Sequence, residues 1–159
     1  MSSEKRKIAY IDGKPYEIGP NHTSILKFVK SYVGEKKVPT LCDDPNLAPY
    51  GACRVCSVEV ALEKDGPTRM VASCHTPVAE NQHIFTSNEA ITSLRKNIVE
   101  LVLTDHPMEC DSCEVNNNCE LQTVANDLGV SDHRYNSPKQ HKGIPRDTSH
   151  DYMRMNLDN

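Results

Sequence analysis

Apolar and polar residues alternate at period two from Lys7 to Ile11 and again from Lys14 to Ile18, with Asp12-Gly13 between the runs. Two such runs joined by Asp-Gly predict a β-hairpin, because both central residues of a type I′ turn need positive φ. The period then lengthens. Thr23 is a candidate N-cap, Ile25, Leu26, Val29 and Val33 line one helical face, and Gly34 stops the helix. Val38 to Gly51, with Pro39, Pro45 and Pro49 among Asp and Asn residues, predicts a loop. Strand patterning resumes from Val55 to Leu62, turns at Asp65-Gly66-Pro67, and continues in Met70 to Ser73 and His83 to Thr86. Residues 1–87 therefore read as an α+β unit with a mostly β framework.

The strongest helical stripe comes next. Thr86 and Glu89 have capping-box spacing, Ile91, Leu94, Ile98, Leu101 and Val102 follow at helical intervals, and Asp105-His106-Pro107 closes the run. A cysteine-rich loop leads to a short helix, Glu120 to Leu128, with Asn118 as its expected cap and Gly129 as its stop. Residues 131–159 carry Pro138, Pro145, histidines and mixed charge without an Ile/Leu/Val stripe, the pattern of a linker or docking tail. No internal repeat or low-complexity tract interrupts the chain.

Composition narrows the options. Of 159 residues only 37% are hydrophobic and 5% aromatic, Trp is absent, and mean hydropathy is −0.59. A chain this poor in apolar residues has little with which to build a large core, and a bound metal is a usual supplement. The net charge of −4 and pI of about 6.0 offer no basic face for nucleic acid. No apolar run approaches the roughly 18 residues of a membrane span, and the charged Met1 to Lys7 segment has no apolar run behind it, so no signal peptide is expected. The expectation is a cytoplasmic protein. Seven cysteines in such a chain, an odd number in a reducing compartment, point to metal ligation rather than to disulfides.

The cysteines form two groups. The first, Cys42-x10-Cys53-x2-Cys56-x17-Cys74, has one tight pair flanked by two distant members, with small Gly51 and Ala52 beside it. Four-cysteine zinc sites usually show two short pairs, whereas one short pair with distant partners suits a plant-type 2Fe–2S centre with a lengthened first spacing. The second group, His106-x3-Cys110-x2-Cys113-x5-Cys119, is one thiolate short of a cubane set. His106, at the end of the long helix, either caps that helix or supplies the missing ligand; beside three cysteines with no fourth, the ligand reading is preferred. A zinc site of three cysteines and one histidine remains the rival. His75 follows Cys74 directly, and neighbours in a strand face opposite ways; His22, His83, His133, His141 and His150 have no cysteine context and read as solvated or capping. There is no dinucleotide fingerprint, phosphate loop or HExxH helix, hence no evident catalytic site.

Together, Cys42…Cys53-Arg54-Val55-Cys56…Cys74, then His106-Pro107-Met108-Glu109-Cys110-Asp111-Ser112-Cys113 and Asn118-Cys119-Glu120-Leu121-Gln122, resemble the N-terminal iron–sulfur module of the complex I large iron–sulfur subunit, iron-only hydrogenases and NAD(P)-linked formate dehydrogenases. Cys119-Glu120-Leu121-Gln122 with Leu128-Gly129-Val130 is closer to the hydrogenase and formate dehydrogenase branch. The resemblance covers about residues 7–130. It implies a β-grasp ferredoxin domain (1–87) whose 2Fe–2S cluster is held by Cys42 and Cys53 on one iron and Cys56 and Cys74 on the other. It further implies a small helical module (88–130) holding a 4Fe–4S cluster through His106, Cys110, Cys113 and Cys119.

Members of that family usually continue into further cysteine motifs. Here no cysteine follows Cys119, so an excised fragment and a separate docking subunit are both open readings. The resemblance implies an electron relay within a multi-subunit oxidoreductase, partnered by a flavin/NAD(P) module and a catalytic subunit. A zinc-binding interaction adaptor and a cluster-based redox sensor are the competing classes. The apo form is expected to be poorly folded.

Overall fold

A computed structural model describes residues 6–135 and 143–155. The expectations for the first five residues, for 136–142 (His141 included) and for the last four fall outside the described residues. The rest divide within one helix, between Arg95 and Lys96, into two compact units.

The first unit is a five-stranded mixed sheet, β1 (Ile8–Ile11), β2 (Lys14–Glu17), β3 (Ser57–Ala61), β4 (Arg69–Ala72) and β5 (His83–Phe85), in the order β2-β1-β5-β3-β4. The β1–β2 hairpin turns at Asp12 (φ +47°) and Gly13 (φ +82°), as the Asp-Gly pair requires. β1 runs parallel to β5 with Ile11 opposite Ile84, and β3 is antiparallel to both β5 and β4. Helix α1 (Ile25–Val33) buries Ile25, Leu26, Phe28 and Val29. They join Ala9, Ile11, Val58, Val60 and Ile84 in one apolar cluster, which also includes Cys56 and Cys74. Burial of the Phe28 ring alone contributes about 2–3 kcal/mol. Two thiols are thus part of the core that holds the sheet to the helix.

Three caps differ from expectation. Ser24 rather than Thr23 caps α1, its Oγ accepting from the Lys27 amide at 3.3 Å. Thr86 does not cap the next helix. Its amide and hydroxyl both donate to the Asp12 carboxylate, at 2.8 and 2.6 Å, and Asn88 Oδ1 accepts from the Ile91 amide instead. Helix α2 accordingly runs Glu89–Leu103. Its buried positions are Ile91, Arg95, Val99 and Leu103, at intervals of four, whereas Leu101 and Val102 are exposed. In the second unit, Cys119, not Asn118, is the N-cap residue of α3 (Glu120–Leu128), which ends at Gly129 in the left-handed region as expected.

Residues 143–155, within the stretch read from sequence as a tail, fold back on themselves: Asp147 and Met155 exchange backbone hydrogen bonds at 2.9 and 3.0 Å. Among the described residues no helix is long and apolar enough to cross a membrane.

Candidate metal centres

The first cysteine group is assembled by the sheet. β3 begins immediately after Cys56, and β4 ends two residues before Cys74. Register pairing of Ser57 with Ala72 brings the two ends side by side. Ser73 locks them, donating from its Oγ to the Cys56 carbonyl at 2.7 Å. The turn after Ala72 in its turn accepts the first free amides of α1: Leu26 N–H donates to the Ser73 carbonyl (2.9 Å) and Ile25 N–H to that of Thr76 (2.8 Å). Helix amides that would otherwise lack partners therefore fix the Cys74 loop.

Cys42 and Cys53 are half-buried and lie on the long loop between α1 and β3. The Cys53 amide donates to the Cys42 sulfur at 3.5 Å. Lys30 anchors the loop start through Asp43 (3.4 Å) while also pairing with Glu35 (3.1 Å). Two residues in the left-handed region make the loop turn inward. Arg54 (φ +64°) sends its carbonyl to the amide and hydroxyl of Ser57 (3.1 and 2.6 Å). Gly51 (φ +70°) is buried, and a Cβ there would lie 3.3 Å from the Ala72 methyl and 3.5 Å from the His75 ring.

Backbone amides aim at the sulfurs. Burial, the largest influence, pushes the Cys53 thiol up; the Val55 amide opposes this, contact with Cys42 adds to it, and the Leu41 amide also lowers it. Cys74 is pushed up to about 12, first by burial, then by its contact with Cys56 and the nearby charges of Cys56 and Cys42, against the pull of the Gly51 amide. The four side chains approach in pairs, Cys42 with Cys53 and Cys56 with Cys74. Among the described residues no three His, Cys, Asp or Glu side chains converge as they would around one metal ion. Pairwise convergence with amide donors to sulfur suits a binuclear cluster, which takes two thiolates on each iron. These buried thiols would ionise on meeting iron and release their protons.

The second group lies wholly in the second unit. His106, Cys110, Cys113 and Cys119 all line one cavity of about 880 Å³, flanked by Leu103, Met108 and Leu121. All four are half-buried. They are delivered by successive tight turns: the amides of His106, Cys113 and Asn116 donate to the carbonyls of Leu103, Cys110 and Cys113 at 3.3, 3.1 and 3.1 Å. Gln122 on α3 pins the last turn, accepting from the Asn117 amide at 2.8 Å and donating to Asn116 Oδ1 at 2.9 Å. A soft donor set of three thiols and one imidazole around a single roomy cavity fits a cubane cluster. His75, the weaker candidate beside Cys74, has its ring against Gly51.

Sequence reasoning missed three cationic residues near these groups. Arg95 reaches the carbonyls on either side of Cys56; its signal was the four-residue spacing of Ile91, Val99 and Leu103, in which a charged residue fills the missing place. Arg146 and Arg154 line the second cavity, and nothing in the pattern of residues 131–159 marked them.

Residues 7–89 match the model of the 2Fe-2S iron-sulfur cluster binding domain family. Residues 95–134 match that of the NADH-ubiquinone oxidoreductase-G iron-sulfur binding region. The NADPH-Fe(3+) oxidoreductase subunit alpha of Geobacter sulfurreducens is 34% identical over 137 residues, covering 86% of this chain and 15% of its own length. A subunit of the NADH-quinone oxidoreductase of Escherichia coli is 33% identical over 132 residues (82% and 14%). The NADP-reducing hydrogenase subunit HndD of Solidesulfovibrio fructosivorans is 35% identical over 131 residues (79% and 21%). The chain thus spans about a fifth or less of the length of these curated relatives. The crystal structure of an NAD+-reducing NiFe-hydrogenase in the H2-reduced state shares the fold, with a TM-score of 0.73 over 91% of this chain and 57% of that one at 24% identity.

Proposed function

This chain belongs to the 2Fe-2S iron-sulfur cluster binding domain family, and from that premise we propose that it relays single electrons through two clusters to the other subunits or domains of a larger oxidoreductase. The 2Fe–2S ligands are Cys42 and Cys53 on one iron and Cys56 and Cys74 on the other. The 4Fe–4S ligands are His106, Cys110, Cys113 and Cys119. The first cluster belongs to a domain at 1–87, the second to a module at 88–130, and 131–159 are a linker or docking tail. The partners are a flavin/NAD(P) module and a catalytic subunit, with no nucleic acid and no insertion into a membrane. The compartment is the cytoplasm, where an odd set of unpaired thiols stays reduced.

The observation that carries this reading is the convergence of four thiols, Cys56 and Cys74 buried in the core and Cys42 and Cys53 half-buried near them, under amides of Leu41, Gly51 and Val55. Donors fixed in the backbone favour the thiolate form and meet the added negative charge of a reduced site without rearrangement. Bound clusters supply reversible one-electron carriage at low potential. The chain's own residues do the rest: Ser73 and α1 hold the Cys56 and Cys74 loops still, the apolar core excludes water from their sulfurs, and the turns pinned by Gln122 present the second donor set.

Iron, sulfide and zinc analysis of anaerobically purified protein, with EPR after dithionite reduction, tests the reading. About six irons per chain and two distinct reduced signals are expected. Zinc in place of iron in protein never exposed to air would overturn it in favour of an interaction adaptor.

A further inference from the structure

Arg95 is 5% exposed, buried on α2 between Ile91 and Val99. Arginine is seldom buried without a partner, and it does not shed its proton at physiological pH. Its Nε donates to the Val55 carbonyl at 3.1 Å and its Nη2 to the Ser57 carbonyl at 2.8 Å. Those residues flank Cys56, so the guanidinium grips the backbone on both sides of one thiol. Both acceptors are neutral. Among the described residues no carboxylate pairs with it, and Cys56 lies between its two carbonyl partners. Burial pulls its pKa down to about 10, which still leaves it charged at neutral pH.

A buried cation facing only carbonyl dipoles is expensive, since desolvation is not repaid by an opposite charge. The four-thiolate site beside it supplies that charge. Four thiolates outweigh the positive charge of a 2Fe–2S core, and an added electron makes the site more negative still. A fixed cation therefore favours the reduced state over the oxidised one.

We propose that Arg95 is a positioning residue whose buried positive charge holds the Cys56 segment and raises the reduction potential of the 2Fe–2S site. The proposal rests on the assignment of Cys42, Cys53, Cys56 and Cys74 as its ligands. Lysine retains the charge but not the fork that serves two carbonyls; glutamine retains a donor without the charge.

The test is a redox titration of the holoprotein and of its Arg95→Lys and Arg95→Gln variants, following the 2Fe–2S EPR signal, with the 4Fe–4S signal as the control for assembly. At a fixed potential the reduced-to-oxidised ratio should fall on the order of tenfold in Arg95→Gln, from loss of one nearby buried charge. That is about 59 mV for a one-electron couple. It should stay within about threefold of the parent in Arg95→Lys. Loss of the 2Fe–2S cluster in Arg95→Gln but not in Arg95→Lys supports the part of the proposal in which the buried charge holds the Cys56 segment. An unchanged ratio in a fully loaded Arg95→Gln protein overturns it, as does a Lys variant that fails in the same way as the Gln one. A parent protein without any 2Fe–2S signal would instead overturn the ligand assignment.

Discussion

Cys56 and Cys74 are buried members of the apolar cluster that joins the sheet to α1, whereas Cys110, Cys113 and Cys119 stand half-buried in consecutive turns around a cavity of about 880 Å³. The first pair is placed by β-sheet register, by Ser73 and by the N-terminal amides of a helix. The second set is placed by short-range turn hydrogen bonds and by one glutamine clamp. Long-range structure thus preorganises the first site, while local turns assemble the second. Where the protein has already met the conformational cost of ordering the ligands, metal binding need not do so.

The largest effect should come from removing one thiol from each site. In Cys56→Ala the 2Fe–2S signal should disappear and iron should fall from about six to about four per chain. In Cys113→Ala the loss should be about four irons, leaving the 2Fe–2S signal. Iron analysis with EPR reads both, and loss of both signals in either variant would mean that the sites do not assemble independently.

Next in size is the response to iron removal. Hydrogen exchange of the chelated protein should show the amides of residues 106–119 losing nearly all protection, while those of β1, β3 and β5 keep most of theirs. Equal loss in both regions would erase the contrast and extend the poorly folded apo state expected from composition to the whole chain. A smaller but still cooperative effect is expected from Gly51→Ala. The methyl would enter the left-handed region with a contact of 3.3 Å to Ala72, and should cost about 1–3 kcal/mol. A thermal midpoint lowered by several degrees in the holoprotein is the expected reading.

The sequence showed the strands and helices of the first unit because their periodicities are clean and their turns carry Asp-Gly and Gly34. Both cysteine groups were likewise visible as spacings. What it hid were choices between neighbouring polar residues. Thr86 has the composition of a cap, yet Asp12, 74 residues earlier in the chain, claims both its amide and its hydroxyl. The buried face of α2 was misplaced for a related reason. Leu101 and Val102 look like core residues until Arg95, whose carbonyl partners lie 38 and 40 residues away, rotates the buried line to Ile91, Arg95, Val99 and Leu103. Local pattern cannot report a partner supplied by another strand or loop.

The smallest effect is the most specific to the second site. Replacing His106 by cysteine exchanges a neutral imidazole for a thiolate and so adds one negative charge to the set. Histidine for cysteine in Rieske centres raises the potential of a cluster, and the reverse exchange should lower it. In His106→Cys the 4Fe–4S cluster should remain assembled, with its potential lower by on the order of 100 mV and that of the 2Fe–2S site unchanged. Potentiometric EPR on the holoprotein separates the two signals. An unchanged or higher 4Fe–4S potential in the assembled cluster would argue that His106 only caps α2, leaving the second site three protein ligands where the first has four.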